Sequence, residues 1–163
     1  MDEKKHAFVA LGANLGDAEH QVRQALTELT HLPKTSLLQS SSLYRSAPIG
    51  GAPQPDYINA VAEIVTSLSP RELLGALLII EAKMGRQRSV INAPRTLDLD
   101  LLLYDSLQLQ EKDLIIPHPR MHLRAFVLRP LLEISPNHEI PGKGLAHDWL
   151  AATVDQVAEK IKS

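Results

Sequence analysis

The stretch "YINAVAEIVTSLSPRELLGALLIIEAKMG", Tyr57 to Gly85, carries the two readings on which the architecture turns. Its first part alternates Ile58, Ala60, Ala62 and Ile64 with Asn59, Val61, Glu63 and Val65, the period of two that belongs to a β-strand. Its second part opens with Ser69 at the N-cap, Pro70 at the first helical position and Glu72 three residues after the cap, the signature of a capping box. This predicts a helix running to about Met84, with Gly85 as its stop.

Working outward toward the N-terminus, "HAFVAL" (6–11) is an apolar run stopped by the glycines of "GANLGD", which predicts a buried strand ending in a turn. Asp17 is placed to cap a helix reaching about His31, with Val22, Ala25, Leu26 and Leu29 on one face. "TSLLQSSSLYRS" (35–46) is rich in β-compatible residues and predicts another strand. "APIGGAPQPD" (47–56), with three prolines and two adjacent glycines, excludes a regular element and predicts a long loop. Toward the C-terminus, "TLDLDLLLY" (96–104) predicts a strand and "LQLQEKDLI" (107–115) its hairpin partner. "RAFVLRPLLEI" (124–134) has a helical pattern, and "VDQVAEKIKS" (154–163) reads as a terminal amphipathic helix. The order β-α-β-β-α-β is the split βαβ arrangement, giving an α+β, ferredoxin-like fold: an antiparallel sheet with flanking helices gathered on one face. Residues 1–163 are expected to form a single domain.

Composition narrows the function classes. With 44% hydrophobic and 22% charged residues the chain has the balance of an ordinary globular protein. Its apolar runs are interrupted or too short for the roughly 20 residues of a membrane span, and the N-terminus lacks a secretory signal pattern. No membrane partner is expected. The absence of cysteine rules out disulfides and thiolate metal sites and fits a cytoplasmic setting. A formal net charge of −2 gives no general attraction for nucleic acid, which is not expected as a partner. Positive charge is nonetheless concentrated at Lys83, Arg86, Arg88 and Arg95, in a Gly-, Asn- and Pro-containing stretch.

That basic stretch leads directly into Asp98 and Asp100, which share one strand face while Leu97, Leu99 and Leu101 occupy the other. Their Cα atoms would lie roughly 7 Å apart, and the two charges repel unless something positive sits between them. Aspartate is disfavoured in strands, and such local departures gather at functional sites. Hard carboxylate oxygens suit Mg²⁺, which is held by one or two carboxylates together with substrate phosphates, and guanidinium forks grip phosphate oxygens bidentately. The combination points to a nucleoside triphosphate; neither GxxxxGK[ST] nor GxGxxG is present. A ferredoxin-like RNA-binding module and a two-metal phosphodiesterase are the competing readings, the first requiring exposed aromatics on the sheet and the second hydrolysis without an acceptor.

"LGANLGD", "SSLYRSAPIGGAPQPDYINAV", "GRQRSVINAPRTLDLDLLLY" and "IPHPRMHLRAFVLRPLLEI", in this order over nearly the whole chain, resemble the 6-hydroxymethyl-7,8-dihydropterin pyrophosphokinase family of folate biosynthesis. The resemblance implies transfer of the β,γ-diphosphate of ATP to the hydroxymethyl group of the dihydropterin, releasing AMP. It implies two Mg²⁺ ions held by Asp98 and Asp100, and ATP contacts from Glu81, Arg86, Arg88, Arg95, His118 and Arg124, with Arg86 and Arg95 as catalytic clamps on the phosphates. The pterin is implied to lie between Tyr57 and Phe126, with Asn59 reading its polar edge and backbone groups near Ser46, Ala47 and Ile49 completing the pocket. ATP and the pterin are the expected partners, and the expected state is a monomer. The sequence departs from many relatives at Ile91 and Asn92, where a basic residue and sometimes an aromatic stand, and at Ser46-Ala47, where some relatives have Thr-Pro.

Overall fold

The computed structural model describes residues 3–47, 55–85 and 97–161. Ile49, Arg86, Arg88, Ile91, Asn92 and Arg95 lie outside the described residues, as does most of the loop read at 47–56. The first strand, β1 (Lys5–Ala13), is followed by α1 (Ala18–Leu29), whose N-cap Asp17 accepts the backbone N–H of His20. β1 outruns the expected strand by two residues: Gly12 belongs to the ladder and does not end it. The single strand expected over 35–46 is two, β2 (Thr35–Ser40) and β3 (Tyr44–Ser46). Ser41 breaks the run, its hydroxyl accepting the N–H of Val61 and its own N–H donating to the Val61 carbonyl.

β4 (Tyr57–Thr66) and α2 (Pro70–Gly85) then occupy the opening stretch. The capping box forms in both directions, Ser69 N–H to Glu72 Oε1 at 2.8 Å and Glu72 N–H to Ser69 Oγ at 3.1 Å. β5 (Asp98–Tyr104) completes the core sheet, whose order is β5-β1-β4-β3, all antiparallel, with β2 beside β3 on the same flank of β4. This is the ferredoxin-like order expected from β-α-β-β-α-β.

Two further sequence-based expectations, both in the C-terminal half, also fail. Leu109–Glu111 (β6) does not return to β5; it pairs forward with Leu114–Ile116 (β7) in a separate two-stranded ribbon, because the turn at Lys112–Asp113 closes a tighter hairpin than the longer return would. The C-terminal amphipathic helix is absent: after α3 (Ala125–Ile134), β8 (Glu139–Ile140), β9 (Gly144–Leu145) and α4 (Ala146–Leu150), residues Ala158–Lys160 form β10 on the free edge of β3. An isolated short amphipathic helix is marginal in water, whereas pairing with β3 satisfies an exposed row of backbone groups.

The sheet is covered on both faces, not one. Ala60, Ala62 and Ile64 of β4 pack with Val22, Ala25, Leu29, Leu73 and Leu77 beneath α1 and α2. Val61, with Phe8 and Leu102, packs on the other face against Val127, Leu128 and Leu131 of α3. Alternation is thus real but apolar on both sides, and no sheet face among the described residues is left open for base stacking.

Candidate active site

The α3 face of the sheet is apolar in its middle and polar at one end. There β4 presents Tyr57 and Asn59, β1 presents Ala10 and Gly12, and β5 presents Asp98 and Asp100, in register: Gly12 pairs with Asn59 on one side and Asp98 on the other, and Ala10 pairs with Asp100. Ser46 and Ala47 close the edge at β3, while Arg124, Phe126 and Val127 descend from the start of α3. Together these residues line a cavity of about 200 Å³.

Glycine at position 12 has a spatial cause. A Cβ there would stand 3.3 Å from Asn59 Oδ1, so the bare backbone admits the buried amide. Asn59 is 4% exposed and donates through Nδ2 to Ser46 Oγ at 2.7 Å. The Arg124 guanidinium lies over the Phe126 ring, 5.5 Å from its centroid, so the cavity has an aromatic surface backed by a positive charge.

Asp98 and Asp100 are both partly exposed, separated by Leu99, whose side chain is buried on the opposite face. Glu81, near the end of α2, accepts the Leu99 backbone N–H at 2.7 Å. Asp100 also borders a second hollow of about 310 Å³, walled by Leu74, Leu99, Leu114, Ile115, Lys112 and His118. His118 follows a cis Ile116–Pro117 peptide, and its N–H donates to the Leu102 carbonyl at 2.9 Å. Its Nδ1 accepts the Arg120 N–H at 3.1 Å, which leaves the proton of the neutral ring on Nε2. Burial holds the His118 pKa below the ordinary histidine value, against the opposing pull of Asp100.

Of the residues named from the sequence, Ser46, Ala47, Tyr57, Asn59, Asp98, Asp100, Arg124 and Phe126 line one cavity; His118 lies across Asp100 in the adjoining hollow; Glu81 stands behind β5. Ala10, Leu11, Gly12 and Val127 also line the cavity and were not anticipated. For Gly12 the signal was available, because a glycine inside an apolar strand marks a close approach of another group. Among the described residues no group of three or more His, Asp or Glu is placed to hold a metal ion by itself. Two carboxylates on one face suit a hard cation that takes its remaining ligands from water and phosphate. No described helix is long and apolar enough to cross a membrane.

Comparison with known proteins adds to this geometry. The family described as 7,8-dihydro-6-hydroxymethylpterin-pyrophosphokinase matches residues 8–136. The 2-amino-4-hydroxy-6-hydroxymethyldihydropteridine pyrophosphokinase of Pseudomonas aeruginosa is 41% identical over 157 residues, covering 96% of this chain and 97% of that protein. That of Haemophilus influenzae is 42% identical over 155 residues, covering 95% and 97%. A crystal structure of Plasmodium falciparum HPPK-DHPS with pterin and p-hydroxybenzoate superposes with a TM-score of 0.74 at 12% identity, over 95% of this chain and 44% of that one. The chain therefore spans less than half of that solved chain, and at this identity the likeness speaks for the fold alone.

Proposed function

The chain belongs to the 7,8-dihydro-6-hydroxymethylpterin-pyrophosphokinase family, and we propose that its reaction takes place where the two hollows meet at Asp100. It is an ATP-dependent diphosphotransferase of folate biosynthesis, moving the pyrophosphoryl group of ATP to hydroxymethyldihydropterin. The observation that carries the assignment of the site is that Asp100 borders both hollows, so a group bound to it faces two ligands at once.

The pterin occupies the cavity between Tyr57 and Phe126. A flat heteroaromatic gains from stacking on these rings, and the buried Asn59 amide, steadied by Ser46, reads the polar edge. ATP enters from the His118 side, with its phosphates directed toward Asp98 and Asp100 and with Arg124 adding positive charge. Arg86, Arg88 and Arg95 are assigned to the phosphates on the family resemblance, Arg86 and Arg95 as the clamps, and Ile49 to the pterin pocket. The same resemblance implies an ATP contact for Glu81, whose carboxylate accepts the Leu99 N–H.

Asp98 and Asp100 are the residues that would hold Mg²⁺, two ions in this reading. Bound there, the cation supplies charge neutralisation of the polyphosphate and polarisation of the transferred group. The protein's own part is positioning. The cavity fixes the hydroxymethyl oxygen in line with the β-phosphorus; its bond to phosphorus forms as the bond to the α–β bridging oxygen breaks, AMP departs, and the hydroxyl proton passes to solvent. Arg124 stands where negative charge grows, and the apolar walls limit competing attack by water.

The test is AMP release from ATP with and without 6-hydroxymethyl-7,8-dihydropterin and Mg²⁺, in wild type and in Asp98→Ala and Asp100→Ala. AMP formation dependent on pterin, metal and both carboxylates is expected. AMP or ADP production independent of pterin would overturn the assignment and restore the hydrolytic reading.

A further inference from the structure

Among the described residues β5 pairs with β1 alone, which makes it an edge strand of the core sheet. Backbone N–H groups on such an edge need another partner or water. At Leu99, midway between the two aspartates, the partner is the Glu81 carboxylate, 2.7 Å from the amide nitrogen. Glu81 sits on α2, whose inner face is buried beneath the sheet through Leu73, Leu77 and Ile80, so it is anchored on a rigid element. The peptide plane that ends in the Leu99 N–H also contains the Asp98 carbonyl. Holding that N–H fixes the orientation of the plane, and with it the directions in which Asp98 and Asp100 leave the strand. An ionised acceptor makes this bond stronger than a neutral one would.

The Glu81 oxygen bonded to the Leu99 amide is turned toward the backbone between the two aspartates. We propose that Glu81 is a positioning residue: through the Leu99 amide it fixes the angle and spacing of the Asp98–Asp100 pair, and it does not act as a nucleotide ligand. This rests on the two aspartates serving as the metal-holding pair described above. It replaces the ATP contact that family resemblance implied for Glu81.

Three variants of the full-length protein separate the possibilities. Glu81→Leu removes the acceptor, Glu81→Gln keeps an acceptor without charge, and Glu81→Asp keeps the charge but shortens the reach by one methylene. The first readout is hydrogen exchange at the Leu99 amide, which needs no activity. Exchange at Leu99 rises at least tenfold in Glu81→Leu and Glu81→Asp relative to neighbouring amides and stays within about threefold of wild type in Glu81→Gln. The second readout is kinetic. Glu81→Leu and Glu81→Asp lower kcat at least tenfold and raise the Mg²⁺ concentration for half-maximal rate, with KM for ATP within about threefold of wild type, and Glu81→Gln restores kcat. If Glu81→Leu does not fold, the aspartate variant decides. A nucleotide ligand recognised by charge would instead keep its function in Glu81→Asp and show a raised KM for ATP in Glu81→Gln with the Mg²⁺ midpoint unchanged; that result overturns the proposal, as does unaltered Leu99 exchange in Glu81→Leu. Should wild type itself make no AMP, the functional assignment falls, and Leu99 exchange together with Mg²⁺-dependent shifts of the Asp98 and Asp100 amides still decides the role of Glu81.

Discussion

Replacing Gly12 by alanine should separate ligand recognition from folding. The new Cβ meets Asn59 Oδ1 at 3.3 Å and the Ile58 carbonyl oxygen at 3.9 Å, so only the Asn59 contact is tight, and relief needs a shift of a few tenths of an ångström. Gly12 does not occupy the positive-φ region, so alanine's backbone preference is compatible with its place in β1. Restricting the unfolded chain then stabilises by about 0.4–1 kcal/mol, which offsets a comparable cost of crowding. Net stability should change by less than about 1 kcal/mol. The tight approach makes Asn59 yield at the expense of its 2.7 Å bond to Ser46, and in the proposed site this misaligns the amide assigned to the pterin. Loss of one buried hydrogen bond costs about 1–1.5 kcal/mol, or roughly tenfold in affinity. The assay pairs urea denaturation with the KM and dissociation constant for the pterin: unchanged stability, about tenfold weaker pterin binding, and KM for ATP within twofold. Pterin affinity within twofold of wild type in the folded variant would refute the placement of Asn59, and a stability loss beyond about 3 kcal/mol would show that the sheet, not Asn59, absorbs the crowding.

Asp100→Asn should abolish metal-dependent transfer while leaving the metal-free protein as stable as wild type or more so, by up to about 1 kcal/mol, since it relieves repulsion from Asp98; melting temperatures with and without Mg²⁺ and ATP test this. Tyr44→Phe removes the hydroxyl that donates to Glu133 Oε1 at 2.7 Å and should cost about 1–2 kcal/mol in urea denaturation without changing kcat, because Glu133 ties α3 to the β3 edge and lies outside the cavity. Leu128→Ala, at a fully buried site beneath α3, should cost about 2–5 kcal/mol, read from the same denaturation curves. Burial holds His118, His122 and His138 below the ordinary histidine value, so between their native and unfolded pKa values the unfolded chain binds more protons than the native one. Stability should therefore fall as pH drops below about 6.5, and His138→Asn should flatten the decline in urea midpoints between pH 7.5 and 5.5.

The parts of the fold legible in the sequence are those whose cause is local. Ser69, Pro70 and Glu72 encode the start of α2 within four positions, and Asp17 does the same for α1. The segment 158–160 has no such cause: its strand exists because β3 has a free edge next to it, a fact of tertiary pairing that periodicity cannot reveal. β2 and β3 read as one strand in the sequence because the break at Ser41 is made by a hydrogen bond to Val61, twenty residues away. In the site, Asp98 and Asp100 stood out as charge in a leucine-rich strand, and Tyr57, Asn59 and Phe126 followed from family likeness. The glycine at 12 is a visible signal, but its partner Asn59, like the attachment of Glu81 on α2 to Leu99, depends on which elements lie side by side in the assembled fold.

The two-sided burial of β4 bears on how the chain finds its alignment. In a strand with one wet face, sliding by one residue exposes every apolar side chain and is heavily penalised. β4 lacks that safeguard over 60–62, where small or β-branched apolar residues face both ways. Its polar residues supply it. A slip of one would turn Asn59 away from Ser46, and Glu63 away from His6 and Gln39, into the core beneath α1 and α2, where neither finds a partner and each unpaired group costs several kcal/mol. In the proposed site Asn59 would thus act twice, once as the group assigned to the ligand and once as a peg that keeps the strand from slipping, so that a change made for either role would affect the other.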